Sequence, residues 1–336
     1  MNIKIIEIGT YLPKKMVTNE EIESKLGLER GYIEKRTGIQ ERYYAEGEEI
    51  IDLAKKSVED LNKKVLSKGV ERGLSDVELI VVATTTSRFL MPAISNEVQK
   101  ALGLKMAISF DVLAGCSGFI NALDLALMYM NEGRVKKALV IGVDKLSEYT
   151  DKDDVGTSII LSDGAGAILL EAQKHGENEQ KNSNKMKKLE TVTSDAPQIK
   201  KYYCNIASEI DTKNILVCRQ ENKIKMNGKE VYKYAVTTTV ENVNELLKKA
   251  NTKIDQIKYI VPHQSNMKIM KSIASRLKVD FDKLIVNIDK VGNTFCASIP
   301  IAMAKMLERH DLQEGDKVIL LGYGGGLNTG SIMLQF

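Results

Sequence analysis

Residues 76–87, DVELIVVATTTS, return in altered form at 255–266, DQIKYIVPHQSN. Each copy is an acidic turn, an apolar run of strand length and a polar turn. The copies stand 179 residues apart (255 − 76). Other landmarks keep the same offset. Cys116 maps to 295, inside the turn VGNTFCAS that opens a helix over 299–307. The strand ending at Gly142 maps to 321, beside Gly322, where VILLGYGGG ends its strand. The helical pattern at 51–67 is matched at 231–249. Shared spacing within the error of such boundaries implies a duplicated βα unit. Duplication sets two halves face to face about a pseudo-twofold axis. Matching strand-to-helix loops then meet near that axis, where α/β sheets place their sites.

The other elements follow in order. A strand at 3–10 is closed by Pro13, and Thr18 with Glu21 caps a helix to about Leu26. Residues 32–44 read as a polar, partly basic loop. The helix at 51–67 carries Ile51, Ala54, Val58, Leu61 and Val65 at helical spacing. Strands at 79–84, 107–112 and 137–143 alternate with helices at 93–102 and 122–130. Residues 156–170 read as two β runs around Ser162-Asp163-Gly164-Ala165-Gly166. The alternation predicts an α/β fold with parallel pairing. EAQKHGENEQKNSNKMKK at 171–188 has almost nothing apolar and reads as a solvated linker near the change of half. The expected domains are therefore 1–175 and 176–336. His175 within the linker, and His310 in ERHDLQEGD, are expected at the surface.

Composition narrows the function. A net charge of +3 argues against nucleic-acid binding by bulk charge. Cysteines at 116, 204, 218 and 296 have no CxxC spacing, so neither a zinc site nor a disulfide framework is signalled. Reduced thiols in a cytoplasm fit that pattern. MNIKIIEIGTYLP is too short and too charged for a signal peptide's apolar core. No apolar run approaches the ~18 residues that cross a bilayer, so no membrane partner is expected.

The chemistry starts at 111–121, DVLAGCSGFIN, a strand end followed by Cys116 at a helix start. Free N–H groups and the helix dipole there favour a thiolate, and the small neighbours leave room for a substrate. The same Cys reads equally well as a small core hydrophobe. His263 follows the strand YIVP, and Asn293 sits in the matching GNT turn; each could also be an ordinary loop residue. Gly324-Gly325-Gly326 could be a tight turn alone. Together they make an acyl-transfer set. A thiolate attacks a thioester, backbone N–H groups hold the oxyanion, and neutral His and Asn donate to a second carbonyl.

GCSGF around Cys116, VPHQSN around His263, VGNTFCASIP around Asn293, DGAGA at 163–167 and GYGGG at 322–326 resemble β-ketoacyl-acyl carrier protein synthase III, of the thiolase superfamily. The likeness runs from YLP through KRTGI to the C-terminal strand. It implies a thiolase-like fold, two βα halves in a five-layer αβαβα sandwich. It implies that Cys116 takes an acyl group from a primer thioester, acyl-CoA or acyl-ACP. His263 and Asn293 then hold the malonyl-ACP carbonyl as CO2 leaves. The N–H groups of Cys116 and Gly325 form the oxyanion hole, and no metal or cofactor is required. Tyr32, Arg36, Thr37, Met91, Phe295 and Leu327 are the implied substrate contacts, Met91 reaching the partner's tunnel in a homodimer from the loop at 89–92. Gln264, Ser265, Asn266, Met267 and Lys268 match the segment associated with carrier-protein binding. Lys229 and Lys233, with Lys225, Lys271 and Arg276, would add a basic rim for the acidic carrier.

The sequence departs from the family in places. It has no Trp, and Val155 stands where many members carry an Arg that helps grip adenine. Phe295-Cys296 and Leu327-Asn328-Thr329 also differ near the expected acyl site. An acyltransferase or specialised-metabolite ketosynthase with an unusual primer is therefore the alternative. A degradative thiolase would need a second Cys after Cys296, and a silent partner subunit would have lost Cys116.

Overall fold

Two helices are apolar almost all round: Gly118–Asn131, GFINALDLALMYMN, and Ser298–Leu307, SIPIAMAKML. A helix with no polar face must be covered on every side. In the computed structural model, which describes residues 2–70, 73–88, 90–173, 196–219 and 223–336, these two form the middle layer. A sheet packs on either side of them.

The first sheet takes β1 (Asn2–Tyr11), β4 (Leu79–Ala83), β5 (Ile108–Val112), β6 (Lys137–Asp144), β7 (Gly164–Gln173) and β8 (Gln198–Ile199), in the order β5-β4-β6-β7-β1-β8. Between β1 and β4 lies a separate antiparallel pair, β2 (Lys15–Thr18) with β3 (Glu41–Tyr44). The second sheet takes β9 (Lys201–Ser208), β12 (Tyr259–Pro262), β13 (Lys317–Gly324) and β14 (Asn328–Gln335), in the order β12-β13-β14-β9. A short antiparallel pair, β10 (Leu216–Val217) with β11 (Lys225–Met226), precedes β12. Helices Ile50–Ser67 and Ile94–Ala101 cover the outer face of the first sheet. Gly228–Lys249 and Met267–Leu277 cover the outer face of the second. The result is the expected five-layer αβαβα sandwich of thiolase-like folds.

The duplication is visible in strand direction. β4 pairs β6 in parallel, β6 pairs β7 antiparallel, and β7 pairs β1 antiparallel. β12, β13, β14 and β9 repeat those relations in turn. The counterpart of β5 has shrunk to one parallel bridge, Ile260 to Leu284. The expectation of parallel pairing thus holds for the β4, β5, β6 and β12, β13 strands and fails for the rest. β7 returns antiparallel beside β6 after the connection 145–163, which holds only two short helical turns.

Two local expectations are corrected. Residues 32–44 are not a loop: they form a helix, Tyr32–Thr37, and the strand β3. Glu34, Lys35, Arg36 and Gln40 stay exposed, but Thr37 and Arg42 turn inward, and distant partners pin the segment. The Glu23 carboxylate accepts the N–H groups of Gly31 and Ile33 at 3.0 and 2.9 Å. Arg42, fully buried, donates to Asn19 Oδ1 at 2.7 Å and to the carbonyl of Ile159 at 3.0 Å. Burial lowers its pKa to about 10. The first β run at 156–163 is instead a helical turn, Val155–Ser158, which Asp154 caps by accepting the Gly156 N–H at 2.9 Å. The 175/176 boundary and His175 lie outside the described residues. β8, beyond that boundary, still pairs with β1, so the second sheet begins at β9.

Candidate active site

A cavity of about 820 Å³ runs inward between the halves and is lined by Cys116, His263, Asn293, Phe295, Tyr323 and Gly324. The three chemistry-bearing residues expected from sequence therefore face one space. Cys116 lies on the helical turn Gly115–Ser117 that leads into Gly118–Asn131. His263 follows β12, and Asn293 is bridged to Leu161 beside it.

Gly324 brings β13 hard against Cys116. A Cβ there would lie 2.7 Å from Cys116 Cβ and 2.9 Å from its sulfur, so only glycine fits. The N–H groups of Gly325 and of Cys116 itself consequently point at the sulfur, the pair expected as an oxyanion hole, and they pull the thiol's pKa down. Burial and the Asp144 carboxylate push it up, and they win. The expected thiolate at the helix start is thus corrected. Cys116 is 3% exposed, and loss of water outweighs the helix-end dipole, so the resting group is a thiol.

The two donors are prepared in different ways. His263 Nδ1 lies 2.7 Å from Ser298 Oγ, and burial lowers the ring's pKa to about 3, so the ring is neutral. With Ser298 donating to Nδ1, the proton sits on Nε2. Asn293 Oδ1 accepts the Phe295 N–H at 3.1 Å. That bond turns the amide so that its NH2 group remains for a ligand.

Several important residues carried little sequence signal. Asp144, at the end of β6, is fully buried. It accepts from Thr84, Thr85 and Thr86 in the first half and from the Cys296 N–H at 2.9 Å in the second. The Cys296 thiol donates in turn to the Gly115 carbonyl at 3.2 Å. A lone Asp after an apolar strand was the available hint. Ser298 looked like any residue at a helix start.

The outer contacts divide. Arg30, Tyr32, Lys35, Arg36 and Lys268 line the cavity at its mouth, and the Arg36 guanidinium stacks 4.5 Å from the Tyr32 ring centre. Ser265 and Asn266 line it too. Thr37 also touches the cavity, but its hydroxyl donates to the Ile33 carbonyl at 2.7 Å and accepts the Ile39 N–H at 3.0 Å. Gln264 is corrected as a docking residue. It is buried, donates to the carbonyls of Pro262 and Ile285, and accepts the Asn287 N–H. Leu327 is corrected as a tunnel residue, since it faces a separate, smaller hollow with Ile210 and Tyr234. Met91 is exposed and away from this chain's cavity, and Phe89 lies outside the described residues. Met267 is half-buried; Lys225, Lys229, Lys233, Lys271, Arg276 and His310 are exposed.

Residues 110–187 match 3-oxoacyl-[acyl-carrier-protein (ACP)] synthase III, and residues 247–336 match the C terminal of 3-oxoacyl-[acyl-carrier-protein (ACP)] synthase III. The chain is 38% identical to the beta-ketoacyl-[acyl-carrier-protein] synthase III of Clostridium novyi, over 100% of this chain and 99% of that one. It is 35% identical to beta-ketoacyl-[acyl-carrier-protein] synthase III 1 of Bacillus anthracis, over 100% and 99%. The crystal structure of 3-oxoacyl-[acyl-carrier-protein] synthase III from Aquifex aeolicus superposes with a TM-score of 0.85 at 33% identity, covering 99% of this chain and 100% of that one.

The neutral His263 has a thermodynamic signature. Below its ordinary pKa of 6.5 the unfolded chain binds a proton that the buried ring refuses until about 3. Stability is therefore lost as pH falls through that window. Between pH 8 and pH 5 the wild type should lose about 2 kcal/mol more than His263→Gln, read from urea unfolding at each pH. Equal losses would show that the ring titrates normally.

Proposed function

The chain belongs to the 3-oxoacyl-[acyl-carrier-protein] synthase III family, and on that premise we propose how its residues carry out the initiating condensation of fatty acid synthesis. The overall reaction joins an acyl primer to malonyl-ACP, releases CO2 and gives 3-oxoacyl-ACP. In the first half the Cys116 sulfur attacks the primer's thioester carbon. Negative charge grows on the carbonyl oxygen, facing the N–H groups of Cys116 and Gly325. The carrier thiolate leaves and takes the proton that Cys116 gave up, so acyl-Cys116 and a free thiol result.

In the second half the malonyl thioester carbonyl accepts from His263 Nε2–H and the Asn293 NH2 group. The bond to the carboxylate breaks, CO2 leaves, and the electron pair becomes an enolate held by those two donors. The enolate carbon attacks the acyl-Cys116 carbonyl; a C–C bond forms, the C–S bond breaks, and the thiolate recovers a proton from solvent. Loss of CO2 supplies the carbanion, so no strong base is needed and a neutral imidazole suffices. The observation that carries this reading is that a neutral ring and an oriented amide line the same cavity as the thiol. Plain acyl transfer from Cys116 would use neither donor.

The partners follow from the surface. Cations at the mouth, with exposed Lys225, Lys229, Lys271 and Arg276 beyond, fit an acidic carrier protein. Tyr32 stacked on Arg36, without an Arg at 155, grips adenine on one side only, which favours a carrier-borne or unusual coenzyme-borne primer. β5 is an edge strand flanked by exposed Leu90, Met91, Met106, Ile108 and Leu113, and a second copy of this chain would cover it as a homodimer. No helix among the described residues is long and apolar enough to cross a membrane, and none of the four cysteines is in a disulfide. A thiol nucleophile of this kind belongs in a reducing cytoplasm.

Two experiments test these assignments. A panel of acyl-CoA and acyl-ACP donors should add one acyl mass to the wild type and none to Cys116→Ala. His263→Ala and Asn293→Ala should each lose about 10²–10³-fold in CO2 release from malonyl-ACP, with self-acylation falling far less. Equal loss of both steps would contradict the roles given. Separately, Ile108→Glu with Leu113→Glu should convert a dimer to monomer in sedimentation; an unchanged mass would move the interface elsewhere.

A further inference from the structure

Two hydroxyls in the tunnel wall have no part in the chemistry above. Ser265 lies two residues past His263, and Tyr323 lies on β13. Their oxygens are 2.7 Å apart, and both line the cavity that holds Cys116. The Tyr323 ring stands edge-on to His263, with centroids 5.3 Å apart and planes at 74°. The pair therefore sits beside the place where a thioester carbonyl is held.

Their mutual hydrogen bond uses one of two O–H protons. Either hydroxyl can donate in this pair; with Tyr323, the phenol, donating to Ser265 Oγ, the serine keeps its own proton. Burial pushes the Tyr323 pKa far up, so the phenol keeps its proton. Tyr323 is 2% exposed, whereas Ser265 is half-buried, so Ser265 is the member that reaches the open space. Neither hydroxyl has another hydrogen-bond partner among the described residues. One donor proton on Ser265 is left for whatever fills the tunnel.

The segment from His263 to Lys268 runs from the buried inner end of the cavity to its exposed mouth, and Ser265 is one step out from the chemistry. A thiol arm entering the tunnel has methylenes next to its sulfur and then an amide. Methylenes need no partner, but an amide stripped of water does. We propose that Ser265, held in place by Tyr323, donates a hydrogen bond to the first amide carbonyl of the thiol arm. This rests on the condensing reading given above. Ser265 then touches substrate, and Tyr323 is a positioning residue. The contact would select amide-bearing arms over simple alkyl thioesters, whichever carrier bears them.

The test compares two thioesters of one acyl group with the full-length protein. One is the N-acetylcysteamine ester, which carries that amide; the other is the pentyl ester, of equal length with none. Self-acylation kcat/KM is read by intact mass. The wild type should favour the amide ester. Ser265→Ala should cut that preference by about three- to tenfold, and Tyr323→Phe by a smaller factor. A general loss of packing would slow both esters alike and leave the ratio unchanged. Wild-type ratios in both variants would overturn the assignment. Failure of the wild type to react with either ester would instead overturn the condensing reading beneath it.

Discussion

Backbone meets backbone at the centre of this protein with no room for a side chain between. A Cβ at Gly324 would intrude to 2.7 Å of Cys116 Cβ, and one at Gly142 to 2.1 Å of the Cys296 carbonyl oxygen. Those contacts press the ends of β13 and β6 onto the turns that carry Cys116 and Asn293. From them follow the two N–H groups at the sulfur and the Cys296 thiol locked onto Gly115. Asp144 ties the arrangement from behind, bonding the Thr84–Thr86 turn of one half to the Cys296 turn of the other. The duplicated fold brings two strand ends together; glycine lets them touch.

The second constraint is water. The site residues are almost wholly buried, and burial decides each protonation state. The Cys116 sulfur rests as a thiol and the His263 ring as a neutral imidazole. The site thus carries no net ion of its own at the reacting atoms. Donors fixed in a dry, low-dielectric pocket act most strongly on charge that appears only during reaction. In the proposed mechanism two separate donor pairs serve the two halves of the chemistry, one at the acyl oxyanion and one at the enolate.

The repeat at 76–87 and 255–266 was legible because both copies pair an apolar strand with a polar turn, and strand ends are where α/β folds hold their sites. Cys116, His263 and Asn293 could be placed in one pocket on that ground. What stayed hidden depends on contacts across long stretches of chain. Arg42 and Glu23 look like surface charges until the Ile159 carbonyl and the Gly31 and Ile33 N–H groups satisfy them. Gln264 is expected in a docking surface because 264–268 resembles the family's carrier-binding segment, yet its own amide is spent on Pro262 and Ile285. The thiol's true state was hidden for the same reason: a helix start is visible in a sequence, and the depth at which it is buried is not.

In the proposed mechanism decarboxylation belongs to His263 and Asn293 and not to the thiol. The most direct measurement is CO2 release from malonyl-ACP by folded Cys116→Ala with no primer present. Continued release without any 3-oxoacyl product is the predicted result. A Cys116→Ala protein that releases no CO2, beside a His263→Ala protein that does, would contradict it.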